Sequence, residues 1–194
     1  MGTEGGVRLD LMEAIYSRRS VRSYTEQSVH KATIEALIQA AIQAPSALNQ
    51  QPWAFAVIHD GQVLAQYSDH VKAQVLKGLM PQSPLYAHRQ ALESPAYNVF
   101  YGAGTLIVIC AKPEGVNAEE DCSLAAQNLM LAAHSMGLGT CPIGFARPWL
   151  NLEETKRDLA IPMHYTVVFP VIVGYPTGLT PPVARKEPEI VGWR

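Results

Sequence analysis

Three apolar runs constrain this chain most: WAFAVI (53–58), TLIVICA (105–111) and YTVVFPVIVG (165–174). Each reads as a strand with much of its surface buried. Pro170, inside the third, cannot donate to a ladder, which points to an edge strand or a bulge. Helical patterns lie between the runs. Leu9, Met12, Ile15 and Tyr16 form a short one, and Ile34, Leu37, Ile38, Ala41 and Ile42 a longer stripe that should stop at Pro45. Asp60 is placed to cap a helix carrying Val63, Leu64, Tyr67 and Val71. Glu119–Met136 is rich in Ala and Leu, with Gly137 set to end it. Asn151 and Glu154 have capping-box spacing for a last short helix, with Asn in place of Ser or Thr. A few strands among helices make the class mixed α and β. Residues 78–102 lose periodicity and hold Pro81, Pro84 and Pro95 with Tyr86, Tyr97, Phe100 and Tyr101. A loop of that length in a compact domain is usually functional. The proline-rich tail from Pro176 cannot bury itself alone.

Composition narrows the function. Of 194 residues, 48% are hydrophobic and 16% charged. Charge is below the common value of about 25%, as expected if an oligomer interface hides surface. A net charge of −2 provides no field to draw in nucleic acid or an anionic membrane. No apolar run reaches the roughly 18 residues of a membrane span. The opening MGTEGGVRLD lacks a signal-peptide core, and Gly6 stands where a myristoylation signal needs Ser or Thr. A cytoplasmic protein is expected. Cys110, Cys122 and Cys141 are odd in number and lack metal-type spacing, so they read as reduced, mostly buried thiols. HxxxH, HExxH, GxSxG and GxGxxG patterns are absent. Cys141 reads more readily as a packed small residue than as a nucleophile, for no base stands near it in sequence.

Against that plain background, RRSVRSY (18–24) places three guanidinium groups within five positions. A solvated helix end is one reading, because cations suit a helix C-terminus. Phosphate capture is the other: guanidinium forks match phosphate oxygens, and Ser20 adds a hydroxyl. APSALNQQPW (44–53) tips the balance, since a plain connection needs no such density of amides and hydroxyls, which can read the edge of a heterocycle. GLGTCPIGF (137–145) is a third small, backbone-rich stretch where a ring can approach the main chain.

RRSVRSY, APSALNQQPW, GLGTCPIG and VIVGYP followed by Arg185 occur in the order seen in the nitroreductase family, which the chain resembles from about residue 10 onward. The resemblance implies an α+β sandwich, a mostly antiparallel central sheet flanked by helices, as one domain over 1–194. It implies an intertwined homodimer whose arm, 176–194, crosses to the partner. It also implies FMN as cofactor and NADH or NADPH as reductant, with a small-molecule electron acceptor such as a nitroaromatic or quinone reduced by ping-pong hydride transfer. Specialised flavin chemistry (dehalogenation or flavin fragmentation) and a flavin-holding regulatory module are the alternatives.

By motif position, Arg18, Ser20 and Arg185 would bind the FMN phosphate, and Arg19 would contact the cofactor nearby. Arg22 would stand beside the flavin pyrimidine edge, favouring the negative charge of the reduced ring. Pro45, Ser46, Ala47 and Asn49 would reach the partner's site. Pro142, Ile143 and Gly144 would line the ring, with a backbone N–H from Gly144 or Phe145 at the reactive nitrogen. No side-chain acid or nucleophile is then required, because the cofactor carries the hard step. Two departures stand out: CPIGF lacks the Glu that many members carry before that Gly, and Val183 stands where some have a Lys. Segment 78–101 matches no signature, and substrate choice is expected there.

Overall fold

A computed structural model describes residues 9–194. The positions read above for a leader or lipid signal, 1–8, lie outside the described residues. The three apolar runs form β1 (Trp53–Ile58), β2 (Thr105–Ala111) and β4 (Thr166–Gly174). A fourth strand, β3 (Gly139–Pro142), stands where GLGTCPIGF suggests only a small, backbone-rich loop. Gly and Pro at its ends hide its strand character, and it forms by pairing with β4. The sheet order is β1-β2-β4-β3, and every strand pair is antiparallel.

Every residue of β2 is buried, and its alternation divides the core. Ile107, Ile109 and Ala111 face the layer built by α2 (Lys31–Ala41) and α5 (Ala118–Ser135). Leu106, Val108 and Cys110 face the opposite layer, which includes α3 (Gly61–Lys77) and α6 (Ala146–Leu150). The sheet is therefore covered on both faces. β4 adapts by a bulge: the register slips between Ile109 and Cys110, and Val168 is the extra residue. Val167 then packs in one layer and Val168 in the other. Pro170 sits beside the bulge, but in an interior strand and not at an edge. Its carbonyl accepts from the Ile143 N–H at 2.9 Å.

Helix signals behave as their chemistry dictates, with exceptions. Asp60 caps α3 by accepting from the Gln62 and Val63 N–H groups. Gly137, at φ +76°, lets the chain leave α5 through left-handed backbone. Asn151 does not cap α7 (Glu153–Asp158); its amide is taken up by the Val167 and Arg147 backbone. The 78–102 stretch contains a 3-10 turn, Pro84–His88, and α4 (Arg89–Glu93), rather than plain loop. α5 buries Cys122, Ala125, Ala126, Leu129, Met130 and Ala133 within its own chain and leaves Leu124 and Met136 exposed. The opposite holds for α1 (Leu11–Ser17), whose Leu11, Met12, Ile15 and Tyr16 are exposed, Tyr16 to 71%. The tail beyond Pro176 has no regular structure, and Trp193 is 86% exposed. Among the described residues no helix is long and apolar enough to cross a membrane.

The arginine segment lies along the outer edge of β3. Ser20 bridges Thr140 in parallel sense, and the Val21 N–H donates to the Thr140 carbonyl at 2.9 Å. Further on, Thr25 N–H donates to Tyr175 O at 2.8 Å. Gly139 permits this approach: a Cβ there would come within 2.8–2.9 Å of three Val21 side-chain atoms. Gly139→Ala is therefore expected to lower unfolding stability by about 1–3 kcal/mol. Gly104→Ala, whose Cβ meets nothing within 4 Å, is the control and should stay within about 0.5 kcal/mol of wild type. Urea melts of the two variants check the pair.

Candidate functional site

Arg18 follows the last residue of α1, and its N–H closes the helix on the Ala14 carbonyl. This places its side chain beside the β3 edge. Arg18 Nη1 and Arg19 Nε are buried, and neither has a hydrogen-bond partner among the described residues. Arg19 spends its Nη1 on the Tyr16 and Arg18 carbonyls at 2.7 and 2.8 Å. Burial lowers the Arg18 pKa below the guanidinium norm, and the charges of Arg185 and Arg19 lower it further. Arg185, in the tail, is near enough for Arg18 of the same chain to feel its charge. Half-buried, mutually repelling guanidinium groups with buried, unmet donor atoms make a site that an anion would complete.

Arg22 points elsewhere. It lines a cavity of about 950 Å³ with Cys141, Pro142, Ile143, Gly144 and Phe145. Residues of the irregular segment, Leu79, Ser83, Leu85, His88, Tyr97, Val99 and Tyr101, form much of the remaining wall. Two of the stretches singled out in the sequence therefore meet in one chamber, together with the segment expected to hold substrate choice. The Arg22 guanidinium lies 5.9 Å from the Tyr101 ring centroid. Neither Gly144 nor Phe145 donates its backbone N–H to a described residue, and Gly144 is exposed at the cavity wall. Both donors offered by sequence remain available. Burial pushes the Cys141 thiol up from its ordinary value, the Arg22 charge and the Ser20 hydroxyl opposing it. A protonated thiol is a poor nucleophile, in keeping with a packed residue.

The third stretch is not brought to this chamber. Pro45, Ser46, Ala47 and Asn49 are absent from the cavity wall. Asp121, buried on the inner face of α5, accepts from the Ala47 N–H with both carboxylate oxygens at 3.2 Å. Ser46 Oγ accepts from the Gln51 N–H at 2.9 Å. Leu48, Asn49 and Gln51 are held at positive φ, and Leu48 is 84% exposed. The loop is thus rigidly presented outward.

Sequence reasoning missed Asp121 as the anchor of that loop and the two tyrosines as cavity walls. An acidic residue next to Cys122 and four before Ala125, on an otherwise apolar helix face, was the available signal for the first. The second had only the aromatic content of the 78–102 stretch.

Comparison with known proteins identifies the family and the fold. The nitroreductase family model matches residues 15–175. An FMN reductase (NADPH) of Bacillus subtilis is 28% identical over 180 residues, covering 87% of this chain and 67% of the relative. A 4-nitrobenzoate reductase of Nocardioides sp. is 27% identical over 196 residues, covering 83% and 78% respectively. The crystal structure of a nitroreductase with bound FMN from Bacteroides fragilis superposes with a TM-score of 0.82 at 25% identity, covering 96% of this chain and all of that one. With a family match across most of its length and that fold, the chain belongs to the nitroreductase family.

Proposed function

We propose that the protein is an FMN-dependent oxidoreductase that takes electrons from NAD(P)H and passes them, in ping-pong fashion, to an electron-poor acceptor such as a nitroaromatic or a quinone. The observation that carries this reading is the pair of buried, unpartnered guanidinium donors on Arg18 and Arg19, in the same short segment as Arg22 of the chamber wall. Arg18, Ser20 and Arg185 would hold the FMN phosphate, and Arg19 would brace it through its free Nε. Arg22 would meet the flavin pyrimidine edge. The N–H of Gly144 or of Phe145 would orient the reactive ring nitrogen. When bound, FMN supplies hydride exchange between reductant and acceptor. The chain's own work is to bind, orient and bias charge: fixed cations favour negative charge at the ring edge, and the Gly and Pro wall keeps the approach open for a second planar molecule.

The site would be shared between two copies of the chain. The outward PSALN loop lies away from the chamber of its own chain, and α1 and the tail expose apolar side chains that a second copy would cover. The segment 176–194 would form part of that interface.

Purified protein is expected to carry about one FMN per chain and to be bleached by NADH or NADPH under anaerobic conditions. Chromatography showing FAD or no flavin after reconstitution, or no bleaching, would sink the reading. Arg18→Gln should weaken FMN binding by about 1.5–3 kcal/mol, the worth of one charge-assisted hydrogen bond, measured by fluorescence titration. For the shared site, Arg18→Glu and Asn49→Asp homodimers should each be nearly inactive. In a co-expressed heterodimer both lesions fall in one site and leave the other intact, so activity should return to about half of wild type if the two sites act independently. An inactive heterodimer of confirmed mass rejects a shared site.

A further inference from the structure

We propose that the hydroxyls of Tyr97 and Tyr101, backed by Arg22, form a hydrogen-bonding platform for an oxygen of the electron acceptor. This rests on the oxidoreductase reading above and assigns the acceptor's reacting oxygen a place. The two phenol oxygens lie 3.1 Å apart, with the rings edge to face at 6.0 Å. One hydroxyl donates to the other, which leaves one phenolic proton over. Among the described residues that proton has no other acceptor, and both side chains line the chamber. A hydroxyl whose oxygen already accepts a hydrogen bond is a better donor. The ionisable groups whose charge bears on Tyr97 are Tyr101, Arg22 and Cys141. No carboxylate among the described residues lines the chamber, so its electrostatics favour negative charge.

The platform is held rigidly, as a site for developing charge must be. Lys72 donates to the Ser94 carbonyl at 3.2 Å, and the Tyr97 N–H to the Ser94 carbonyl at 3.3 Å. Asn98 accepts from the Phe100 N–H through its side chain at 2.8 Å and from the Tyr101 N–H through its carbonyl at 2.9 Å. Phe100 is fully buried. Tyr101 is fixed at φ +54°, ahead of Gly102 at +75°. A tyrosine kept in left-handed backbone, where the next residue is the glycine, marks a position determined by its surroundings, and such strain gathers at functional sites. Burial raises the Tyr97 pKa above the phenol norm, and the hydrogen bond to Tyr101 adds to the rise. The group therefore stays protonated and acts as a donor, not as a proton source.

For a quinone the balance is simple. A hydride originating from NAD(P)H, which leaves as NAD(P)+, adds to the quinone and leaves an electron pair on one carbonyl oxygen. The platform donates a hydrogen bond to that oxyanion. One proton from solvent then completes the hydroquinone.

The test uses the holoenzyme, its Tyr97→Phe and Tyr101→Phe variants, and two readouts. The first is anaerobic stopped-flow of both half-reactions. Each variant should reoxidise with a quinone roughly three- to tenfold more slowly relative to its own rate with ferricyanide, which offers no such oxygen. The second is binding of 4-nitrophenol to the oxidised enzyme without reductant, with ionisation read from the phenolate band. Wild type should favour the bound phenolate, and each variant should lose that bias. Unchanged quinone-to-ferricyanide ratios, or a nitrophenol that ionises on wild type as it does in water, overturn the proposal. Slowing of the NAD(P)H half-reaction alone also overturns it, because the hydroxyls would then serve the cofactor. If wild type is not reduced by NAD(P)H at all, the oxidoreductase reading fails, while the nitrophenol comparison still decides the platform.

Discussion

The site depends on two glycines that face each other across one strand pair. Gly139 and Gly174 are register partners in β3 and β4. A Cβ on the first would enter Val21, and one on the second would come within 2.8 Å of the Tyr24 ring. Lacking side chains, they let the arginine segment lie directly on the end of the sheet, tied to it by the Val21 and Thr25 backbone bonds, while the Tyr24 hydroxyl on the Val21 carbonyl at 2.8 Å braces the segment internally. The guanidinium groups are thereby set by a sheet covered on both faces, not by a flexible terminus. Sites on regular elements hold their geometry better than sites on loops.

That placement has an electrostatic cost. Taking guanidinium donors out of water without a partner is unfavourable, and Arg185 and Arg19 add like charge around Arg18. A chain that keeps this arrangement is poised for a counter-charge, and an anion bound there recovers several charge-assisted hydrogen bonds together. Charge rather than an activated thiol marks the chamber, for burial raises the Cys141 thiol there. Its wall presents cations, phenols and unused backbone N–H groups, the equipment for orienting a ring and stabilising negative charge.

The parts legible from sequence were those in which local chemistry and tertiary structure agree. β1 and β2 fall on the residues read as WAFAVI and TLIVICA, and Asp60 caps as its position dictates. The arginines and the PIG stretch could be singled out because their residue types are hard to explain as surface. What stayed hidden was set by partners distant in sequence. β3 is strand only because β4 lies beside it, and Asn151 forsakes its helix for the Val167 backbone across 16 positions. Pro170 reads as an edge or a bulge residue, and only the paired strands show that the bulge, at Val168, is what lets it sit inside the sheet. Tyr97 and Tyr101 needed the fold of a stretch with no period of its own.

The PSALNQ loop allows a last step. Leu48 and Gln51 are unbranched at Cβ but not glycine, and left-handed backbone costs such residues about 1–2 kcal/mol each. Asp121, Ser46 and the Asn49–Gln51 side-chain bond at 2.9 Å hold the loop in that form. If the segment served only to join α2 to β1, relaxed backbone would do as well at lower cost. Burying a carboxylate in α5 to fix a loop that exposes Leu48 and Asn49 makes physical sense when those residues meet something outside their own chain. In the shared site proposed above, a second copy would bring a chamber walled by Arg22 that this chain's own loop does not reach. There the strain in one segment and the unmet charge in another would be two halves of the same arrangement, each stabilised where it meets the other.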